Sequence, residues 1–134
     1  MIIDHVAIWT NRLEQLKNFY VKYFNGISNG KYTNKEKHFE SYFVTFDSGT
    51  RIELMQMPGV PENQNDPVEK QYQGLIHLAF GVSTVKEVTE KAGELKRDGF
   101  VILRGPRKTG DGYYEFETLD PDNNRIEVSS RFVE

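Results

Sequence analysis

The sequence predicts an α+β fold made of two βαβββ modules. The first observation is a repeat: residues 3–8 (IDHVAI) return as residues 75–80 (LIHLAF), and residues 51–54 (RIEL) return as residues 125–128 (RIEV). The second is the order of predicted elements, which is one strand, one helix and three strands in each half. A single unit of this kind leaves an open face that its twin can cover, so we expect one compact domain.

The first module is predicted to span residues 1–57. Its helix begins near residue 12, because apolar residues then recur at steps of three and four and form a buried stripe. They are Leu13, Leu16, Phe19, Tyr20, Tyr23 and Phe24. Alternating and β-branched stretches predict the strands, which lie at residues 2–9, 27–33, 39–46 and 51–57.

A change of composition follows at residues 58–73, which contain Pro58, Gly59, Pro61 and Pro67 among many polar residues. We interpret this stretch as a linker. The second module then spans residues 74–134. Its helix is predicted from the spacing of Val85, Val88, Ala92 and Leu95. Its strands are predicted at residues 75–82, 100–104, 113–119 and 125–130.

Composition limits the function. The chain has 134 residues, a formal net charge of −3 and no cysteine. A mildly acidic chain lacks the basic surface typical of nucleic-acid-binding proteins, and disulfides, thiolate metal sites and cysteine nucleophiles are excluded. Neither a secretory signal nor an apolar run of about 20 residues is found, so we expect a cytoplasmic protein that does not act on a membrane.

Each half of the sequence carries one histidine and one glutamate in otherwise apolar strands. His5 precedes Glu53 by 48 positions, and His77 precedes Glu127 by 50. A buried polar group must be satisfied by a partner, and a lone histidine in a strand is usually a satisfied structural residue. Because both positions occur twice, we predict a metal site of two imidazoles and two carboxylates, which suits Zn²⁺, Ni²⁺, Co²⁺, Mn²⁺ or Fe²⁺.

These strands, with the LDPDNNRIEV sequence near the end of the chain, resemble the vicinal-oxygen-chelate superfamily and, within it, the glyoxalase I (lactoylglutathione lyase) group. The resemblance extends over essentially the whole chain. It implies that the two modules form an open curved sheet, or half-barrel, around one divalent metal ion, with Ni²⁺, Co²⁺ or Zn²⁺ expected and Mn²⁺ or Fe²⁺ compatible. The positions of its ligands match His5, Glu53, His77 and Glu127.

The resemblance also implies an activity. A glyoxalase I-like lyase isomerises the hemithioacetal of a 2-oxoaldehyde and a thiol by proton transfer through a metal-bound enediolate, the chemistry of methylglyoxal detoxification. Glu127 is our candidate for the proton shuttle, with Glu53 as the alternative. Candidate substrate contacts are Trp9, Phe46, Met55 and Tyr114. Members of the group often form homodimers in which both chains build each site.

Two other functions remain open at this stage. The chain could be another metalloenzyme of the superfamily, such as a thiol transferase, an epimerase or a dioxygenase, or a small-molecule binding or resistance protein without turnover. Glutathione-dependent members tend to have an arginine near the end of the first strand, where this chain has Trp9, and an asparagine after the first glutamate ligand, where it has Met55 and Gln56. The thiol is therefore left open between glutathione and another cellular thiol.

Overall fold

The computed structural model describes residues 1–64, 66 and 68–131. These form two compact units, Met1–Asn63 (unit 1) and Gln64–Glu134 (unit 2). Residues 65 and 67 of the predicted linker and residues 132–134 of the predicted second module lie outside the described residues. The predicted module boundaries at residues 57 and 74 remain predictions.

Unit 1 contains one helix and a five-stranded mixed sheet with open edges. Its elements are β1 His5–Trp9, α1 Leu13–Phe24, β2 Ile27–Ser28, β3 Tyr32–Asn34, β4 Phe39–Thr45 and β5 Arg51–Gln56. The strand order is β1-β5-β4-β2, and β3 also pairs with β4. Only one weak strand was predicted between the helix and the hairpin. In the structure this segment is divided into β2 and β3, which pair antiparallel with opposite ends of β4.

Helix α1 forms where the sequence predicts it and covers one face of the sheet. Its buried side chains are Leu13, Leu16, Phe19, Tyr20 and Tyr23. The helix contacts β4 and β5, whose buried apolar residues are Tyr42, Val44, Ile52 and Leu54. Because strand side chains alternate between faces, the odd-numbered residues of β4 and β5 are left on the face away from the helix.

In its described residues, unit 2 contains one helix and a four-stranded mixed sheet, also with open edges. Its elements are β6 His77–Gly81, α2 Val85–Arg97, β7 Ile102–Lys108, β8 Tyr113–Leu119 and β9 Arg125–Arg131. The strand order is β6-β9-β8-β7. Helix α2 begins with a capping box in which Thr84 and Glu87 satisfy each other's backbone N–H groups, and this reciprocal bonding fixes where the helix starts.

The core of unit 2 lies between α2 and its sheet. Helix residues Val88, Ala92 and Leu95 are buried, as are Phe116, Ile126 and Val128 on the strands that the helix contacts. The predicted α+β class and the helix-plus-sheet composition of each unit are thus confirmed. Among the described residues, neither helix is long and apolar enough to span a membrane.

The two units share one detail of register. In unit 1 the first and last strands are parallel, and Ala7 lies opposite Glu53. In unit 2 the first and last strands are also parallel, and Ala79 lies opposite Glu127. Because paired residues point to the same side of a sheet, each histidine and each glutamate project from the face that the helix does not cover.

Candidate metal centre

The first predicted pair lies on β1 and β5 of unit 1. His5 Nε2 is 3.5 Å from Glu53 Oε2. The residue opposite Glu53 is Ala7, whose small side chain leaves room for the imidazole beside the carboxylate. The side chains of His5 and Glu53 are 37% and 20% exposed, so the pair is partly shielded and still accessible to a small ligand.

The second predicted pair repeats this geometry in unit 2. His77 Nε2 is 3.6 Å from Glu127 Oε2, with side chains 33% and 16% exposed. Ala79 takes the place of Ala7. The structure therefore brings each predicted histidine to the predicted glutamate of its own unit, through the same atoms and at nearly the same distance.

The chemistry of the pairs fits a divalent cation. A carboxylate offers only acceptors, and a neutral imidazole with its proton on Nδ1 offers an acceptor at Nε2. The separations of 3.5 and 3.6 Å exceed the usual N–H···O distance of about 2.7–3.2 Å. With the proton on Nδ1, the two acceptors of each pair would be satisfied by a cation, and imidazole with carboxylate suits Zn²⁺, Ni²⁺, Co²⁺, Mn²⁺ or Fe²⁺.

Asp4 is a residue of this site that the sequence did not reveal. Its Oδ2 atom is 2.7 Å from His5 Nδ1, the ring nitrogen on the far side from Glu53, and it also accepts a hydrogen bond from Arg51. The hydrogen bond with His5 and then that with Arg51 hold the Asp4 pKa below its usual value. Asp4 immediately precedes β1, so the alternation of strand side chains does not predict its contact.

Glu117 is the second residue that was missed. Its carboxylate lies with the ligand atoms of His77 and Glu127, all within 4.8 Å of one another. Arg125 donates a hydrogen bond of 2.8 Å to it, and Arg104 lies 3.8 Å away. The alternation of Glu115, Phe116 and Glu117 was a signal for two glutamates on one face, but only the register of the β8–β9 hairpin places Glu117 opposite Glu127.

Glu127 has an unusual protonation equilibrium. Its pKa is raised to about 7 by burial first, and then by the negative charge of Glu115, its hydrogen bond with Glu115, and the charges of Glu117 and Asp111. A carboxyl group with this pKa exists in both protonation states near neutral pH. It can therefore accept a proton and return it without a large free-energy penalty in either direction.

The four predicted substrate contacts are divided between the two faces of the sheets. Trp9 and Met55 are paired in the register of β1 and β5, on the face that carries His5. Phe46 instead stacks edge-on against Tyr20 of α1, with ring centroids 6.5 Å apart. Tyr114 pairs with Ser130, which places it on the helix side of its sheet, opposite to Glu127.

Comparison with known proteins agrees with this architecture. The family model described as the Glyoxalase/Bleomycin resistance protein/Dioxygenase superfamily matches residues 2–128. That match confirms the predicted resemblance to the superfamily. No curated protein matches the chain.

Several solved structures share the fold at low sequence identity. A glyoxalase family protein from Enterococcus faecalis is 24% identical, with a TM-score of 0.75 and 96% of both chains covered. A glyoxylase/bleomycin resistance protein/dioxygenase domain from Frankia sp. EAN1pec is 16% identical, with a TM-score of 0.81 over 98% of this chain and 92% of that one. The trypanothione-dependent glyoxalase I of Leishmania major is 21% identical, with a TM-score of 0.75 over 98% and 87%.

Proposed function

Because the chain belongs to the Glyoxalase/Bleomycin resistance protein/Dioxygenase superfamily, we propose that it is a metal-dependent lyase of the glyoxalase I type. Its substrate would be the hemithioacetal of a 2-oxoaldehyde and a thiol, and its product a 2-hydroxyacyl thioester. The observation that carries the proposal is the duplicated pair: His5 with Glu53 at 3.5 Å and His77 with Glu127 at 3.6 Å.

The proposed ligands of the cofactor are His5, Glu53, His77 and Glu127, which together would hold one divalent ion. Ni²⁺, Co²⁺ or Zn²⁺ is expected, and Mn²⁺ or Fe²⁺ also accepts this donor set. When bound, the ion would act as a Lewis acid and stabilise negative charge that develops on a substrate oxygen. The support for this set is that each pair presents one nitrogen and one oxygen acceptor to the same point of its own unit.

The proton transfer is assigned to Glu127, with Glu53 as the alternative. The carboxylate would remove the proton from the carbon that bears sulfur and return a proton to the adjacent carbonyl carbon, so that the substrate is isomerised without net oxidation. Burial and the neighbouring carboxyl groups raise the pKa of the metal-free Glu127 carboxyl group, which supports its role as a group that can hold the transferred proton.

The thiol part of the substrate is proposed to contact Trp9 and Met55, which share the face of His5. Trp9 is 43% exposed and offers an apolar ring rather than a cation. Glutathione is one candidate thiol. A thiol with an apolar or aromatic group is a better match to this surface, since a tryptophan ring stabilises a bound ligand mainly through buried apolar area.

The test is formation of a thioester by metal-free protein supplied with Ni²⁺, Co²⁺ or Zn²⁺. Methylglyoxal would be combined with glutathione and with a panel of other thiols, and the thioester absorbance followed. Turnover that requires a metal and is lost in Glu127→Gln supports the proposal. Metal binding without turnover of any hemithioacetal would instead indicate a different metalloenzyme of the superfamily.

We also propose that the protein detoxifies methylglyoxal and that it acts as a homodimer. Light scattering of the eluted protein would give its mass in solution. A dimer whose dissociation by dilution lowers activity supports a site built by two chains, whereas an active monomer excludes it.

A second candidate, a small-molecule binding protein without turnover, is favoured by an aromatic cluster on unit 1. The Phe39 ring is edge-on to both Trp9 and Tyr32, each at 6.1 Å between centroids, and Trp9 and Tyr32 are 43% and 55% exposed. Such a surface can bind a flat apolar ligand. Binding that quenches Trp9 fluorescence and persists after a chelator removes all metal would favour this function over the lyase.

A further inference from the structure

The two histidines of the predicted metal site differ in their second ring nitrogen. His5 Nδ1 is 2.7 Å from Asp4 Oδ2. The residue that precedes His77 is Ile76, which carries no hydrogen-bonding side chain. The duplicated geometry of the Nε2 atoms and glutamates is therefore supported by a carboxylate in unit 1 and not by the matching residue in unit 2.

We propose that Asp4 is a positioning residue that holds the proton of His5 on Nδ1, so that the lone pair of Nε2 is available to bind a cation. A carboxylate ionised at neutral pH has no proton to donate, so the ring nitrogen at hydrogen-bonding distance from it must carry one. In a neutral imidazole the other nitrogen is then an acceptor. That nitrogen is the one that faces Glu53.

Asp4 is itself held on two sides. Its side chain accepts a hydrogen bond from the Arg51 guanidinium, and its backbone carbonyl accepts one from the backbone N–H of Arg51 at 3.3 Å. The guanidinium lies over the Phe43 ring at 4.3 Å, and the same ring meets His5 edge-on at 5.4 Å. These contacts limit rotation of both the carboxylate and the imidazole. The direction in which Nε2 points is therefore fixed before any ion binds.

The inference deepens the proposed function and, for its consequence in metal affinity, rests on it. A carboxylate on the far nitrogen fixes the ring orientation and makes the ligand nitrogen more basic, and loss of such a partner typically costs about 10–100-fold in metal affinity. The tautomer itself is a property of the metal-free protein. It can be measured whether or not the chain proves to be a lyase.

The first experiment compares the imidazole tautomers of metal-free wild-type protein and Asp4→Ile, which gives unit 1 the residue found at the matching position of unit 2. Two-bond ¹H–¹⁵N correlation spectra at about pH 8, where an ordinary histidine is neutral, distinguish Nδ1–H, Nε2–H and doubly protonated rings. We expect Nδ1–H at His5 in the wild type, a loss of that form in Asp4→Ile, and no change at His77. An unchanged His5 tautomer in Asp4→Ile, or a wild-type ring protonated on Nε2, overturns the inference.

Two further variants distinguish the effect of the Asp4–His5 contact from the effect of other charges. Arg51→Met removes the guanidinium and leaves the Asp4–His5 contact, so His5 should keep its proton on Nδ1. Glu36→Gln removes one negative charge from an exposed turn residue and should leave the His5 spectrum unaltered. The backbone amide spectrum of each variant confirms that the fold is retained, which the exposure of Asp4 favours.

The second experiment measures Zn²⁺ affinity by competition with a chromophoric chelator. Asp4→Ile should bind about 10–100-fold more weakly than the wild type, and Glu36→Gln should match the wild type. Equal weakening in both variants would show a general charge effect and would overturn the positioning role. A wild-type protein that binds no Zn²⁺, Ni²⁺ or Co²⁺ would refute the proposed function. The tautomer comparison would still decide whether Asp4 determines the tautomer of His5.

Discussion

Glu117 and Glu127 lie directly opposite each other on the antiparallel strands β8 and β9. Glu117 accepts a hydrogen bond from the buried Arg125 at 2.8 Å, which compensates its charge. Glu127 instead lies near three carboxyl groups, Glu115, Glu117 and Asp111, and its pKa is raised to about 7. Neighbouring residues of one type are thus placed in different electrostatic environments, as expected when one carboxyl group is structural and the other reactive.

The raised pKa of Glu127 predicts that metal affinity depends on pH around neutrality. A metal ligand must be deprotonated, so below its pKa the ion must displace the Glu127 proton. We expect the affinity for Zn²⁺ to fall at least tenfold per pH unit as pH is lowered below about 7, because the imidazole ligands must also be deprotonated, with one proton released per ion bound from Glu127. Calorimetry in two buffers of different ionisation enthalpy would measure that proton. A Glu127→Gln variant should bind more weakly and lose this step in its pH profile.

The same pKa predicts how the metal-free protein responds to pH. The folded-state pKa of about 7 lies above the ordinary value of 4.5, so between these values the folded chain binds a proton that the unfolded chain releases. The contribution of Glu127 to the free energy of unfolding is therefore present below about pH 4.5 and is lost as pH rises through about 7. Urea denaturation of wild-type protein and Glu127→Gln between about pH 5 and 8 should show a steeper decline in the wild type than in the variant. Parallel curves would contradict it.

The assignment of the proton shuttle predicts unequal effects of two matched variants. Glu127→Gln should lower kcat by about 10²–10⁴-fold, the usual contribution of a general base. Glu53→Gln alters the equivalent residue of unit 1 and should reduce kcat less while it weakens metal binding. Assays at saturating metal separate the two effects. A larger loss of kcat in Glu53→Gln would transfer the shuttle role to unit 1.

The sequence predicted the fold class and the composition of each pair because both depend on short-range periodicity. His5 and Glu53 each follow from the twofold alternation of a strand and from its duplication, and no information about distant contacts is required. The environment of Glu127 could not be predicted in this way. It depends on the register of β8 against β9, which is set by the geometry of residues 120–124, and a shift of one residue would move Glu117 to the other face.

The face on which each candidate substrate contact lies also depends on strand register and packing. Trp9 and Met55 lie on the face of His5, because a parallel register joins them there, and their contact with a substrate stays a prediction. Phe46 follows the last residue of β4 and packs against Tyr20. Tyr114 lies on the helix side of its sheet because it pairs with Ser130. An aromatic side chain suits either a core or a ligand surface, so residue type alone does not decide between them.

Arg125 and Arg51 occupy equivalent positions in the two units, and their surroundings predict different costs of removal. The Arg125 side chain is 4% exposed and pairs with Glu117, which is 9% exposed, whereas the Arg51 and Asp4 side chains are 34% and 60% exposed. Arg125→Met leaves a buried carboxylate without its main partner and should lower the free energy of unfolding by about 3–5 kcal/mol. Arg51→Met should cost about 1 kcal/mol or less.

Urea denaturation of the metal-free variants measures both values. A double variant, Arg125→Met with Glu117→Leu, should recover most of the loss, because replacing a whole buried ion pair by apolar residues is often close to neutral. Equal destabilisation by Arg125→Met and Arg51→Met would show that burial of the pair in unit 2 is not what determines its contribution.

The final prediction distinguishes one shared ion from two independent sites. If His5, Glu53, His77 and Glu127 hold a single ion, His5→Ala and His77→Ala should each abolish metal binding, and the wild type should bind one ion per chain. If each pair binds its own ion, the wild type should bind two and each variant should retain one.

His38→Asn is the matched control: it removes an imidazole from an exposed turn, and asparagine tolerates the positive φ of 53° at that residue. Elemental analysis gives the ratio of metal to protein, and thermal unfolding gives an independent measure, since saturation at about 100 times the Kd should stabilise the wild type by about 2.7 kcal/mol. The same addition should leave the unfolding temperature of His5→Ala and His77→Ala unchanged if the ion is shared, while His38→Asn should be stabilised as the wild type is.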